Sequence, residues 1–377
     1  MASTIPQILR RFKADVAKAL SAEVILKVCL ALEHRWRDRV LDPVATVHVF
    51  LLQILHGNTA CAALPHLAGF CFTAAAYCVA RKRLPLTVLA VLLRRLCDAL
   101  VPAMEAGRWH GHRTWTLDGS SFSMSDTPEL QDHFGQPSSQ TKGCGFPTAH
   151  MLALFHAGTG LLLHVLASPL RTHDMKYAAT MHPDMEPGDI LLADRGFASY
   201  AHLALLFLRN MHGVFRMHQK QIVSFRVGRK HTTQRKPRKG LPRSRYVRHL
   251  GQCDQIVRYS KPTNRPTWMD KDAYRALPET LMVRELHYVT PQPGYRTRVI
   301  TLVTTLLDAD IYPAEDLVEL ENQRLPYGNW KITQVRTADG PFRERFFSER
   351  QGQLLERTSQ PLSLEVSPYR QTGTSGE

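Results

Sequence analysis

Acidic residues are scarce along much of this chain. Its 377 residues carry 48 Lys and Arg against 33 Asp and Glu, a formal net charge of +15. From Arg209 to Arg265, sixteen cations face a single acid, Asp254. Such an excess needs an anionic partner or a solvated face, and nucleic acid comes first, ahead of an anionic membrane surface. Cysteine is sparse and odd in number: Cys29, Cys61, Cys71, Cys78, Cys97, Cys144 and Cys253. No two stand at CxxC spacing, which excludes that form of zinc site. Their apolar surroundings predict reduced, buried thiols of a cytosolic protein. The opening MASTIPQILRRFKADVAKAL lacks the apolar core of a signal peptide. Residues 63–80 come nearest to a membrane span, but Pro65, His66 and many small residues mark a buried helix of a soluble domain. No internal repeat is present. His150, His156, His164 and His173 lack HxH or HxxxH spacing and read as core or loop histidines.

Length and a 44% hydrophobic content allow two or three domains with real cores. Residues 1–107 read as an all-helical N-terminal domain whose basic residues face DNA. Leu9, Phe12, Val16 and Leu20 recur at helical spacing, as do Val47, Phe50, Leu51, Ile54 and Leu55, with a stop at His56-Gly57-Asn58. Residues 86–100 give a further amphipathic helix. After Gly107 the texture changes to short strand-like runs at 113–117, 150–156, 160–166 and 190–193, then a helix at 203–209. Strands alternating with helices predict an α/β layer with a mixed sheet over 108–324. Residues 214–298 read as a β-rich insertion with strands near 214–217, 256–259 and 285–290, and with a basic, irregular loop at 226–248. Residues 299–307 give one more strand, and 313–324 a helix opening at Pro313 with Glu315 and Asp316 in its first turn.

Two aspartates share one setting. Asp118 in WTLDGSSF and Asp194 in ILLADRGFASY each close an apolar run and precede a turn-former. Carboxylates at strand ends suit hard divalent cations, and in a basic chain they point to metal-assisted phosphodiester chemistry. Either one alone reads equally well as a turn residue or helix cap.

The stretches TWTLDGSSFSMSDTPELQDHFG, KGCGFPTAH, LLLHVLASP, PGDILLADRGFASYAHLALL and LVTTLLDADIYPAEDLVEL resemble bacterial cut-and-paste insertion-sequence transposases of the DDE type. The resemblance covers most of residues 110–320, and its DRGF-centred block is the most specific part. It implies an RNase H-like core with a β-rich insertion before the final helix. Asp118 and Asp194 become the first two catalytic, metal-binding carboxylates, with Mg2+ or Mn2+ as cofactor. The implied partner is double-stranded DNA at the element's terminal inverted repeats, bound by a homodimer on paired ends and without a membrane. The implied location is the bacterial cytoplasm, at the nucleoid. The expected DNA contacts are Lys142 and Arg195 around the core, and Arg229, Lys230, Arg235, Lys236, Arg238 and Lys239 in the basic loop. Arg324 joins them at the family's motif arginine.

The third acid departs from the pattern. The family carries it as Tyr-x2-Arg-x3-Glu-x6-Lys in a helix. Alignment places Glu321 at the Tyr, Arg324 at the Arg, Gly328 at the Glu and Val335 at the Lys. Pro326 and Gly328 are also helix breakers. Residues 325–377 have little hydrophobic periodicity and form an irregular tail. Two explanations stand: a frameshift near codons 320–328, or recruitment of Glu315, Glu319 or Glu321 instead. The functional alternatives to an insertion-sequence transposase are a non-catalytic DNA-binding descendant and a metal-dependent nuclease.

Overall fold

The computed structural model describes residues 16–105, 107–138, 141, 145–170, 175–218, 221, 223–229, 240–290 and 298–323. It also describes four short pieces, 330–331, 333–335, 343–345 and 367–368. Its described residues form two compact units, one within 1–103, 120–123 and 327–377 and the other within 104–119 and 124–326.

The first unit is built from α1 (Ala22–Ala31), α2 (Pro43–Leu55), α3 (Leu64–Ala68), α4 (Ala74–Arg83) and α5 (Leu86–Ala99); α6 (Val101–Glu105) follows. Ser21, Asp42 and Thr73 cap α1, α2 and α4 by accepting from the backbone N–H three residues on. Pro43 opens α2 where its missing donor costs nothing. Ile25, Val28 and Cys29 of α1 meet Val47 of α2 and Val88 and Leu92 of α5 in one cluster. The apolar stretch 63–80 does not run as one span. Gly69, at φ 75°, ends α3, and α4 restarts at Ala74. Among the described residues no helix is long and apolar enough to cross a membrane. Among the described residues Cys29 and Cys97 are buried as expected, Cys61 is half-buried, and Cys71, Cys78 and Cys253 are exposed; Cys144 lies outside the described residues. Cys71 lies in the irregular link between α3 and α4 and Cys253 in the turn between β6 and β7.

The second unit follows the order β1 (Thr114–Ser123), α7 (Pro128–Phe134), β2 (Thr148–His156), β3 (Leu162–Pro169), α8 (Met175–Ala178), β4 (Ile190–Ala193), α9 (Tyr200–Leu208) and β5 (His212–Arg216). It continues with β6 (Arg243–Gly251), β7 (Asp254–Ser260), α10 (Lys271–Ala276), β8 (Thr280–Thr290), β9 (Arg298–Thr304) and α11 (Ala314–Gln323). All nine strands join one mixed sheet, ordered β3-β2-β1-β4-β5-β9-β8-β7-β6. β1, β4 and β5 are parallel, β2 and β3 antiparallel, and β5 through β6 alternate in antiparallel pairs. Of the parallel strands, β4 is apolar and buried throughout, as a strand covered on both faces must be. Ile190, Leu192 and Val214 pack with Leu286, Leu302, Leu317 and Leu320, so α11 lies against the centre of the sheet.

Two readings shift. The strand near 214–217 is β5 of the parallel centre rather than the start of the insertion, because His212–Phe215 pair with Ile190–Ala193. The insertion is continuous with the core sheet through β9. The end of the basic loop is a strand, β6, with Ser244 buried and Arg243, Arg245 and Arg248 exposed. Exposed charge on a strand at a sheet edge deters pairing with another chain. In the tail, the described pieces form two short ladders, Trp330–Lys331 with Ser367–Pro368 and Thr333–Val335 with Arg343–Arg345.

Candidate active site

Strand register brings the two aspartates together. Leu117 of β1 is the Cα partner of Ala193 of β4, and the next residues along these parallel strands are Asp118 and Asp194. Neighbouring strands lie roughly 4.8 Å apart, and residues in register share a face of the sheet. Ala193 is in turn opposite Phe215 of β5, so the next residue there, Arg216, continues the row. The apolar residues just behind, Leu117, Ala193 and Phe215, are buried. They fix the charged row, in which Asp118 lies within β1, which runs on through Gly119 to Ser123, while Asp194 follows the end of β4 and Arg216 closes β5.

Asp118 Oδ1 accepts from the Gly119 N–H at 3.0 Å. Asp194 O accepts from Phe197 N at 2.9 Å, closing the Asp-Arg-Gly-Phe turn, and Ser199 then caps α9. Asp194 Oδ1 is buried and accepts no hydrogen bond, and Arg195 Nε is 3.9 Å away, beyond bonding range. A buried carboxylate oxygen without a donor is costly unless something else satisfies it.

Beneath this turn lies a stacked histidine pair. His182 and His202 approach Nε2 to Nε2 at 3.0 Å with rings 5.0 Å apart, and His202 also stacks on Phe215. His202 Nδ1 is 2.9 Å from Phe197 O, so Nδ1 carries its proton, Nε2 accepts, and His182 Nε2 donates. Burial lowers the His202 pKa to about 4 and that of His182 to about 2. Both are neutral supports of the DRGF turn.

Arg216 is held from the other side. Its Nε lies 2.7 Å from Glu321 Oε1, with the N–H directed elsewhere, and its Nη2 donates to Glu321 Oε2 at 3.1 Å. Tyr288 Oη donates to the same Oε2 at 2.7 Å. Burial opposes the charge on Arg216. The hydrogen bond and attraction of Glu321, with Tyr288 and Asp194 adding, outweigh it and raise the arginine pKa. The Glu321 side chain is 0% exposed. α11 is pinned at its start as well: Tyr312 stacks on Trp109 at 5.7 Å and contacts His112 Nε2 through its hydroxyl at 2.7 Å, and Asp316 lies 2.7 Å from His110 Nε2.

Of the three glutamates proposed to replace the missing acid, Glu315 and Glu319 are exposed on α11. Glu321 lies in the core, next to the arginine that follows the aspartates in register. It is engaged by that arginine and by Tyr288. Among the described residues no group of three or more His, Cys, Asp or Glu converges as a metal cage. Two carboxylates alone fit Mg2+ when substrate phosphate completes the shell. The orphaned Asp194 oxygen is consistent with such a cation.

Arg195 stands beside Asp194 and is 41% exposed, open to a phosphate. Arg229 is different: it is a correction. Its guanidinium turns inward, donating to Ser224 O at 2.8 Å and Ser244 O at 2.7 Å and lying 3.8 Å from buried Glu285. Burying Glu285 demands a nearby cation, and Arg229 supplies it rather than facing DNA. Lys142, Lys230, Arg235, Lys236, Arg238, Lys239 and Arg324 lie outside the described residues, as does Gly328 at the motif glutamate position. Sequence reasoning missed Arg216 and Tyr288, which carry no motif of their own.

Residues 109–325 match the transposase DDE domain family, more than half of the chain. A stretch of 92 residues is 30% identical to "Putative transposase InsZ" of Escherichia coli (strain K12), covering 24% of this chain and 31% of that protein. The chain thus spans under a third of that relative's length. Among solved structures, a piggyBac transposase synaptic complex with hairpin DNA aligns at 10% identity and TM-score 0.39, over 83% of this chain and 65% of that one. A Mos1 transposase paired-end complex aligns at 11% identity and TM-score 0.19, over 48% of this chain and 60% of that one. With the two aspartates side by side just past the last paired residues of the β1–β4 ladder, the chain belongs to the transposase DDE domain family.

Proposed function

We propose that this protein is an insertion-sequence transposase of bacterial type, which binds the ends of its element and acts on DNA phosphodiester bonds at Asp118 and Asp194. The observation that carries this is the register Leu117↔Ala193, with the unsatisfied Asp194 oxygen beside it. The strand order 3-2-1-4-5 supports an RNase H-like core. Ala157 N donates to Thr114 O and Met124 N to Pro147 O, which sets β2 antiparallel to β1 as that core requires. Asp118 and Asp194 would hold Mg2+ or Mn2+. When bound, the cations would activate the attacking hydroxyl and stabilise the departing oxyanion. The chain's own contribution is positional: two carboxylates fixed by buried strands, a turn held by His202, and Arg195 placed to meet the scissile strand. Arg243, Arg245 and Arg248 on β6 offer a sequence-tolerant backbone surface. A homodimer on paired ends completes the reading.

A second reading is a non-catalytic DNA-binding descendant, and one observation favours it. Glu321, the buried acid beside the arginine that continues the row, is engaged by Arg216 and Tyr288. Mg2+- or Mn2+-dependent nicking of DNA bearing the terminal repeats decides between the two. Cleavage at the repeat ends upholds the transposase. Tight binding without cleavage selects the descendant, and cleavage indifferent to the ends selects a nuclease. Reading the gene in its other two frames past codon 320 tests the frameshift: a helix with Glu and a later Lys must appear in one of them.

A further inference from the structure

The helical unit carries a second concave surface, remote in sequence from the aspartates. A groove of about 470 Å³ opens between the α1–α2 connection and the end of α4. Arg35, Arg37, Arg39 and Arg83 line it, together with His34 and Trp36. All four arginines are exposed, and among the described residues none makes a hydrogen bond or ion pair. The single acid of the lining, Asp42, spends Oδ1 on the α2 cap, accepting from Ala45 N at 2.7 Å. Four guanidinium groups thus line the groove against one carboxylate, with Glu33 and Asp38 exposed in the same connection, so the lining keeps a net positive charge that favours an anion.

The aromatic pair narrows the kind of anion. His34 and Trp36 stack at 5.9 Å with 28° between their planes, and Trp36 is seated on the Ile25–Val28–Val47 cluster. Half-buried and rigidly backed, Trp36 presents a flat edge of the groove rather than a protruding hydrophobe. Cations that follow a backbone, beside aromatic rings that accept a planar base, are what an unpaired nucleic-acid strand requires. A volume near 470 Å³ is of the size that holds a nucleotide-sized group.

We propose that this groove binds a single strand of DNA, its phosphates on Arg35, Arg37, Arg39 and Arg83 and one base against the Trp36–His34 pair. The proposal shares with the transposase reading only its partner. It needs neither metal nor cleavage.

The test uses the full chain carrying Asp194→Asn, in EDTA, so that strand cutting plays no part. Anisotropy of a labelled thymidine octanucleotide is titrated across a salt series, beside a duplex of equal length and anionic phospholipid vesicles. Four phosphate contacts predict a log–log salt slope near −2.8 from this groove, and Arg37→Gln/Arg83→Gln should reduce it by about 1.4. Trp36→Leu should weaken the octanucleotide about tenfold, with Trp36→Phe restoring most of the loss. Should the leucine variant fail to fold, the exposed arginine pair still decides. The proposal is overturned if the arginine variant keeps the wild-type slope with the octanucleotide, or if its substitutions weaken the duplex and the single strand by the same factor. It is equally overturned if the arginine substitutions release vesicles but leave the octanucleotide untouched.

Discussion

Replacing Glu321 by glutamine separates its two possible roles, ion-pair partner or third metal ligand. In the structure its carboxylate is 0% exposed, both oxygens face Arg216, and Oε2 also accepts from Tyr288. Breaking a buried pair by removing one member costs about 3–5 kcal/mol, because the remaining charge stays buried. Arg216 keeps 22% of its side chain exposed, so solvent relieves part of that penalty and about 2–4 kcal/mol is the expected loss. Urea unfolding followed by circular dichroism reads it directly as a fall in the midpoint at constant slope. Arg216→Gln should cost a similar amount, and the double variant should cost less than the sum by about 2 kcal/mol. The contrast is the metal. A cation tenfold above its dissociation constant stabilises the fold by about 1.4 kcal/mol, and Glu321→Gln should leave that increment intact. If instead the variant is as stable as wild type and Mg2+ no longer protects it, Glu321 is a metal ligand and the ion-pair assignment is wrong.

Asp194→Asn should abolish both the Mg2+ increment and any metal-dependent nicking. Without metal it should raise stability by up to about 1 kcal/mol, because two adjacent carboxylates no longer repel; a metal increment surviving in this variant would refute the site. Acid should destabilise the protein through its buried histidines. Burial lowers the pKa of His156 and of His202 to about 4 and of His182 to about 2. The unfolded chain therefore binds the protons first, and stability is lost as pH falls from about 6.5 towards the folded values. At pH 5 the loss is about 2 kcal/mol per histidine, and a melting temperature flat between pH 7 and 5 would contradict this. Asp189, 2% exposed, accepts from Arg113 Nε at 3.0 Å, Trp115 Nε1 at 2.7 Å and Glu186 N at 2.9 Å. Asp189→Ala should cost about 3–5 kcal/mol in chemical denaturation, and a loss under about 1 kcal/mol would show that water replaces the carboxylate.

The readable and unreadable parts of this chain divide by the range of the interaction. Asp118 and Asp194 were legible because each follows a buried apolar run, and parallel register then sets those runs side by side; Gly119 was misread as a turn, since β1 continues through it to Ser123. β6 was not legible: Arg243, Arg245 and Arg248 mask its period-two pattern, whose one buried marker in that run is small Ser244. Arg229 was misread for a related reason. In a run of cations the one that turns inward is set by Glu285, fifty-six positions away, and nothing local distinguishes it.

Glu321 is the instructive case, because half of its role is written in the helix. Leu317, Leu320 and Glu321 stand at i, i+3 and i+4, so the glutamate falls on the apolar stripe that packs against the sheet. A carboxylate on that face cannot remain unpaired, and the pattern alone therefore demands a buried cation. The partner is Arg216, 105 residues earlier, and only the sheet order that seats β5 under α11 reveals it. That arginine directly follows Asp194 in the row across β1, β4 and β5, so the charge that secures α11 also borders the carboxylates. Glu321 thus reaches the electrostatics of the candidate site through Arg216, the cation it holds beside Asp194.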